Sequence, residues 1–251
     1  MSISIAKYSV TSLPGVNAVN KLKPDATGYY RCIVGGFNIM SRNGVFYPLT
    51  QQVLSLFAED SILRRRLTDG YCRAEYGHPN ILGMEVRDIL RRLCIIEEKN
   101  ACATYRKFDL VESKDEFGKP IILVYGELLP SGPYGDVLTK QLNNNEENVA
   151  FSVRSITNDY HERGIYCKEI KNLVTYDYVN EPGIKRANQF NTAVGLESLQ
   201  DILFTENDLA EALRFSQFTG MESEQTQITM IKDSLGWHKI QSVNLGALGW
   251  R

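Results

Sequence analysis

The chain has 251 residues, 43% of them hydrophobic and 23% charged, with a formal net charge of −2. That length fits one large domain, or one domain with an appendage. The composition excludes a disordered or fibrous chain, and the charge gives no global reason to bind nucleic acid. The longest purely apolar stretches, such as Ile121 to Tyr125, fall far short of the ~20 residues that span a bilayer. No signal-peptide core follows Met1, so no membrane association is expected. Five cysteines at 32, 72, 94, 102 and 167 include no C-x-x-C pair, and His78, His161 and His238 are scattered among them. Reduced thiols and no metal or other cofactor are expected.

In chain order, Tyr29 to Phe37 and Val45 to Pro48 have strand composition, with an Asn-Gly hairpin signal in Ser41 to Gly44 between them. Thr50 has the chemistry of an N-cap, and Val53, Leu54, Phe57, Ala58 and Ile62 recur at helical spacing behind it. Arg64, Arg65 and Arg66 end that helix, where cations suit the dipole. Leu82, Val86, Ile89, Leu90 and Leu93 form a second apolar stripe, which leaves Glu85, Arg87, Asp88, Arg91 and Arg92 to face water. Strands are expected over Ala101 to Val111 and Ile121 to Leu129, then a short helix over Asp136 to Leu142. Val149 to Ile156 and Tyr166 to Val179 are strands rich in Val, Ile and Tyr. Leu196 to Phe204 and Asp208 to Phe218 have helical spacing, the second opened by Thr205 with Asp208 three residues on. Thr219 to Gln227 is polar and lacks a core pattern, and the remainder to Arg251 is weakly periodic. The division expected is 1–218 as the folded domain and 219–251 as a loosely held tail.

Three segments carry residues suited to chemistry. In Ala74 to Pro79, His78 lies between Gly77 and Pro79, which constrain its backbone. In Val149 to Ser155, alternation puts Phe151 and Val153 on a core face and displays Ser152 and Arg154 on the outside of the sheet. Between Val174 and Arg186, a strand carrying Asp177 ends at Pro182 and Gly183, and Lys185 and Arg186 follow. Each has a plainer reading: a turn histidine, a polar outer face, a strand exit. Together they supply a hydroxyl nucleophile, an imidazole to deprotonate it, a carboxylate to hold the imidazole, and backbone donors for an oxyanion. Cys72, six residues from His78, offers a thiol alternative that lacks a flanking motif.

The pattern Glu75-x-Gly77-His78-Pro79, Val124-Tyr125-Gly126-Glu127, Phe151-Ser152-x-Arg154-Ser155 and Asp177-x-Val179-x-x-Pro182 resembles the prohead (capsid maturation) serine proteases of tailed bacteriophages. The T-even and giant-myovirus type is the nearest, and these proteases share a fold with the herpesvirus assemblins. The resemblance spans residues 70–190, about half the chain. It implies an α+β fold, a small antiparallel β-barrel with surrounding helices and an active site on its outer surface. It also implies Ser152 as nucleophile and His78 as general base. Asp177 occupies the strand where assemblins carry a second histidine, with Glu127 and Asp159 as alternatives for the third member. Lys185 and Arg186 take the place of the oxyanion loop, with one extra residue before the basic pair.

By the same resemblance the substrates are viral scaffold, core and major capsid proteins and the enzyme itself. They are cut after glutamate inside the assembling prohead in the host cell cytoplasm. Arg154 or Lys185 would receive the glutamate, with Arg106 and Lys107 left open, and self-cleavage would follow Glu222 or Glu224. A homo-oligomer is compatible with this, and a catalytically inactive structural barrel of the same assembly is the alternative.

Overall fold

The computed structural model describes residues 5–13, 22–41, 44–81, 83–115, 117–144, 147–180, 202–218 and 222–237. The strands form two sheets. In the larger, β1 (Ile5–Leu13), β3 (Ile39–Met40), β4 (Val45–Tyr47), β8 (Ala150–Glu162), β9 (Ile165–Val179) and β10 (Ile202–Thr205) lie in the order β10-β1-β8-β9-β4-β3. In the smaller, β2 (Tyr30–Phe37), β5 (Arg73–Glu75), β6 (Ala101–Lys114) and β7 (Pro120–Pro130) lie in the order β2-β7-β6-β5. Every strand pairing is antiparallel except β4 with β9. An isolated bridge between Tyr76 and Tyr178 joins the end of β5 to β9. The expected mixture of antiparallel sheet and helix is present, but among the described residues the hydrogen bonding does not close a barrel.

The β8–β9 hairpin organises the larger sheet. Its two-residue turn, Arg163 and Gly164, has φ of 49° and 79°, and two successive positive φ values match the twist of the flanking strands. Phe151 and Val153 of β8 and Tyr176 and Tyr178 of β9 point into the main core between the sheets, where they meet Tyr105, Phe108 and Val124. Tyr105 and Phe108 rings lie 4.8 Å apart, and Phe108 meets the Tyr176 ring edge-on at 5.2 Å. The buried Tyr105 hydroxyl donates to the Tyr176 carbonyl at 3.0 Å, so its polar end is satisfied.

The opposite face of β8 and β9 is also covered, because a second core packs on it. α3 (Val86–Cys94), α5 (Glu206–Phe218) and α6 (Glu222–Ser234) bring Leu90, Leu93, Leu209, Ala212, Ile228 and Ile231 together with Phe204 and Ile156. Ser152 and Arg154 are therefore fully buried, not displayed to solvent. Arg92, expected in water, is buried as well.

Several local expectations are refined. The apolar run behind Thr50 is two helices, α1 (Gln51–Leu56) and α2 (Ile62–Thr68), because Ser61 supplies a second N-cap and accepts from the Arg64 amide. Ile202 to Phe204, expected at the end of a helix, pairs with β1 as a strand; the earlier part of that stretch, 196–201, lies outside the described residues. Thr205 and Asp208 form a reciprocal capping box at the start of α5: the Thr205 amide donates to Asp208 at 2.7 Å, and the Asp208 amide to Thr205 Oγ1 at 3.3 Å. The stretch expected to lack a core contains α6, with Ile228 and Ile231 buried. α4 (Gly135–Asn143) matches the short helix expected there.

Candidate active site

His78 reaches the β8–β9 pair because the chain changes partners after β5. Up to Glu75 the strand pairs with β6, and the Tyr76 amide still bonds Asn100 beside it. At Gly77 the amide turns to the Tyr178 carbonyl of β9, at 2.8 Å. Gly77 has φ 88°, a conformation open to glycine and costly for other residues. Stacking of Tyr76 on Tyr178, with ring centroids 4.5 Å apart, fixes the crossing. The next residue, His78, is then delivered beside Asp177.

Ser152 and Asp177 are directly opposed across the β8–β9 ladder. Opposed residues of an antiparallel pair share a face, with Cβ atoms about 4.5–5.5 Å apart. Arg154, two residues along β8, shares that face too. His78 Nδ1 lies 3.4 Å from Asp177 Oδ2. The carboxyl of Asp177 is wholly buried, and burial alone would raise its pKa; the Arg154 charge first, and then His78, outweigh that and hold it below the ordinary carboxylate value. An ionised Asp177 can only accept, which assigns the proton to Nδ1 and leaves Nε2 as the basic nitrogen. Nε2 and the Ser152 hydroxyl are both buried and have no hydrogen-bond partner among the described residues, so the two are not bonded to each other.

Behind Asp177 runs a chain of alternating charge. Arg154 binds it through two nitrogens, Nε to Oδ2 at 2.7 Å and Nη2 to Oδ1 at 2.9 Å. The Glu75 amide adds a third donor, to Oδ1 at 3.0 Å. The Glu75 carboxylate lies 3.3 Å from Arg154 and is held by both terminal nitrogens of Arg92, at 2.9 and 2.6 Å. Four buried charges of alternating sign cost desolvation that only close pairing of this kind offsets.

Of the residues expected from sequence, Ser152, His78 and Asp177 thus lie on one strand pair and the loop beside it. Arg154, expected to receive a substrate glutamate, is wholly buried with its charge held by Asp177 and Glu75. Lys185 and Arg186, expected at the oxyanion, lie outside the described residues. Glu127 is paired with Arg106 on the smaller sheet, at 2.6 Å. Asp159 lies seven residues along β8 from Ser152, roughly 23 Å at strand rise, and accepts from Thr157 and Tyr166. Cys72 is buried, and desolvation pushes its thiol up to about 11, well above the range of a reactive cysteine. Glu75 and Arg92 are the partners that sequence reasoning left without a role. Glu75 was visible within the Glu75-x-Gly77-His78-Pro79 pattern, whereas Arg92 was hidden in a helix face expected to meet water.

A hydroxyl, an imidazole and a carboxylate gathered on a mixed antiparallel fold are the side chains with which peptidases perform acyl transfer. Residues 8–232 match the peptidase S80 family, and the chain belongs to that family. It is 37% identical over 237 residues to the capsid maturation protease of Pseudomonas phage phiKZ, a match covering 90% of this chain and 86% of that protein. Among solved structures it is similar to the bacteriophage T4 capsid assembly protease, with a TM-score of 0.49 and 13% identity, covering 70% of this chain and 98% of that one.

Proposed function

We propose that this chain is a serine endopeptidase of viral capsid maturation. It cuts scaffold, core and capsid proteins after glutamate inside the assembling prohead, in the host cell cytoplasm, and it processes itself. The observation that carries the reading is the Ser152–Asp177 register pair with His78 on the carboxylate and its Nε2 left free. Membership of the S80 family and the 37% identity to a capsid maturation protease support the same conclusion.

In this mechanism His78 Nε2 takes the Ser152 proton as Oγ attacks the scissile carbonyl carbon. That transfer requires the two atoms to come within about 2.6–3.2 Å, closer than they lie when neither has a partner. Asp177 stabilises the imidazolium that forms. Backbone N–H groups at Lys185 and Arg186 take the oxyanion, and Lys185 remains the cation assigned to the substrate glutamate. The tetrahedral intermediate collapses as His78 returns its proton to the leaving amine. Water, activated by His78, then releases the acyl group from Ser152.

Self-processing after Glu222 or Glu224 leaves residues 1–222 or 1–224. Glu222 opens α6, and Glu224 lies within it, held by Arg91 at 2.7 Å and Ser216 at 3.0 Å. A cut after Glu224 therefore requires the first turn of α6 to unwind.

The test is incubation of the protein and its Ser152→Ala variant with prohead scaffold protein, followed by mass spectrometry of both partners. The enzyme should cut the scaffold after glutamate and shorten itself, and the variant should do neither. Equal processing by the variant removes Ser152 from the nucleophile's role. Complete burial of Ser152 favours the second reading, an inactive structural protein, and that reading requires the unaltered chain to leave scaffold intact.

A further inference from the structure

A carboxylate that serves a catalytic imidazole normally stands alone, so that its charge acts on the imidazolium undiminished. Asp177 does not stand alone. Its Oδ2 is shared between His78 Nδ1 at 3.4 Å and Arg154 Nε at 2.7 Å, and its Oδ1 is held by Arg154 Nη2 at 2.9 Å. The guanidinium is thus the closer partner, and it is fully buried, where charge is least screened. Glu75 then meets the same guanidinium at Nη2, 3.3 Å away, and the Arg154 Nη1 donates to the Ile95 carbonyl at 3.0 Å.

We propose that Arg154 and Glu75 are positioning residues that set the proton affinity of His78 through Asp177, Arg154 lowering it and Glu75 restoring part of it. The proposal rests on the reading of His78 as general base. A buried carboxylate bonded to an imidazole raises the affinity of the imidazole for its proton. A guanidinium on that carboxylate lowers the proton affinity of both groups together, and a second carboxylate behind it limits the effect.

Among the described residues, charged and titratable groups lie around this pair on several elements. Arg154 comes from β8, Glu75 from β5 and Arg92 from α3. Glu97, from the turn after α3, lies 3.3 Å from Arg92, with Lys99 beyond it at 3.4 Å. Cys94 of α3 and Cys102 of β6 present thiols that burial keeps neutral, the first pushed up to about 12. Burial likewise keeps the Tyr105 phenol of β6 protonated. Arg154 is the cation in direct contact with Asp177, and Glu75 is the carboxylate in direct contact with Arg154.

The experiment follows the His78 imidazole by NMR through a pH titration of full-length protein carrying Ser152→Ala, which prevents self-digestion. With three histidines in the chain, the His78 signal is identified by its loss in His78→Gln. Arg154→Met removes the cation and should raise the His78 midpoint by about one pH unit or more. Glu75→Gln keeps the shape, removes the anion and should lower it. Arg154→Lys keeps a charge but loses the two-nitrogen grip, and should raise the midpoint less than Arg154→Met does. In chains retaining Ser152, the acidic limb of kcat/KM should move in the same directions, which a merely structural role would not produce. Midpoints that coincide in all variants, or that move the same way in Arg154→Met and Glu75→Gln, overturn the proposal. If Arg154→Met does not fold, Glu75→Gln still tests the sign. The NMR readout needs no activity, so its failure is separable from failure of the Ser152 assignment, which would instead appear as proteolysis by Ser152→Ala.

Discussion

Asp177→Asn tests the buried centre most severely. The carboxylate accepts from Arg154 twice, from the Glu75 amide and from His78, at distances of 2.7, 2.9, 3.0 and 3.4 Å. An amide has one oxygen for these four donors, and its NH2 must face at least one of them. The change also takes from the buried Arg154 the closer of the two carboxylates it contacts, Glu75 being the other. Breaking a buried ion pair from one side costs about 3–5 kcal/mol, and that is the loss of stability expected near pH 7. The folded Asp177 has a pKa below its ordinary value of 3.8. Its contribution is therefore complete above the unfolded value and fades as pH falls through the lower folded one. The gap between parent and variant should accordingly be widest near neutrality and should narrow below about pH 4. Urea unfolding followed by circular dichroism, with both proteins carrying Ser152→Ala, measures the gap at each pH. A difference under about 1 kcal/mol at pH 7, or a gap that does not narrow in acid, would refute the ion-pair reasoning.

Other outcomes follow from the same geometry. Gly77→Ala places a Cβ that meets nothing within 4 Å, so its cost is conformational, about 1–2 kcal/mol at φ 88°. The fold should survive while His78, the next residue, shifts; kcat/KM should fall at least about tenfold, and an unchanged value would show that the crossing does not position the base. A chain ending at Glu224 loses the buried Ile228 and Ile231, each contributing about 1.5–3 kcal/mol. Its thermal midpoint should lie clearly below that of the full-length Ser152→Ala protein, and equal midpoints would mean that α6 adds little to the second core.

The amino-acid pattern made the strands β8 and β9 legible, and in β8 the alternation of Phe151 and Val153 with polar residues chose the core face. Asp177 entered as the third member through the family resemblance, beside Glu127 and Asp159. The pattern could not reveal that the other face of the hairpin is covered, since the covering helices α3, α5 and α6 come from distant parts of the chain. For that reason Ser152, Arg154 and Arg92 look solvent-facing by pattern and are buried in fact. Arg154 was legible as a cation near the site, but its partner was not: only the β8–β9 register, Arg154 opposite Thr175 and Ser152 opposite Asp177, puts the guanidinium against that carboxylate. β1 escaped notice because Lys7, Ser9 and Thr11 give it no marked apolar run. β10 has the composition of a helix end and becomes a strand through its pairing with β1, a contact nearly the whole chain apart.

The most direct measurement is labelling of the full-length protein with a serine-directed phosphonate, followed by peptide mapping of the adduct. A single modification on Ser152, lost in Ser152→Ala and much reduced in His78→Ala, is the predicted result. A label on another residue accompanied by loss of proteolysis, or full labelling of Ser152 without His78, would contradict activation of that hydroxyl by that imidazole.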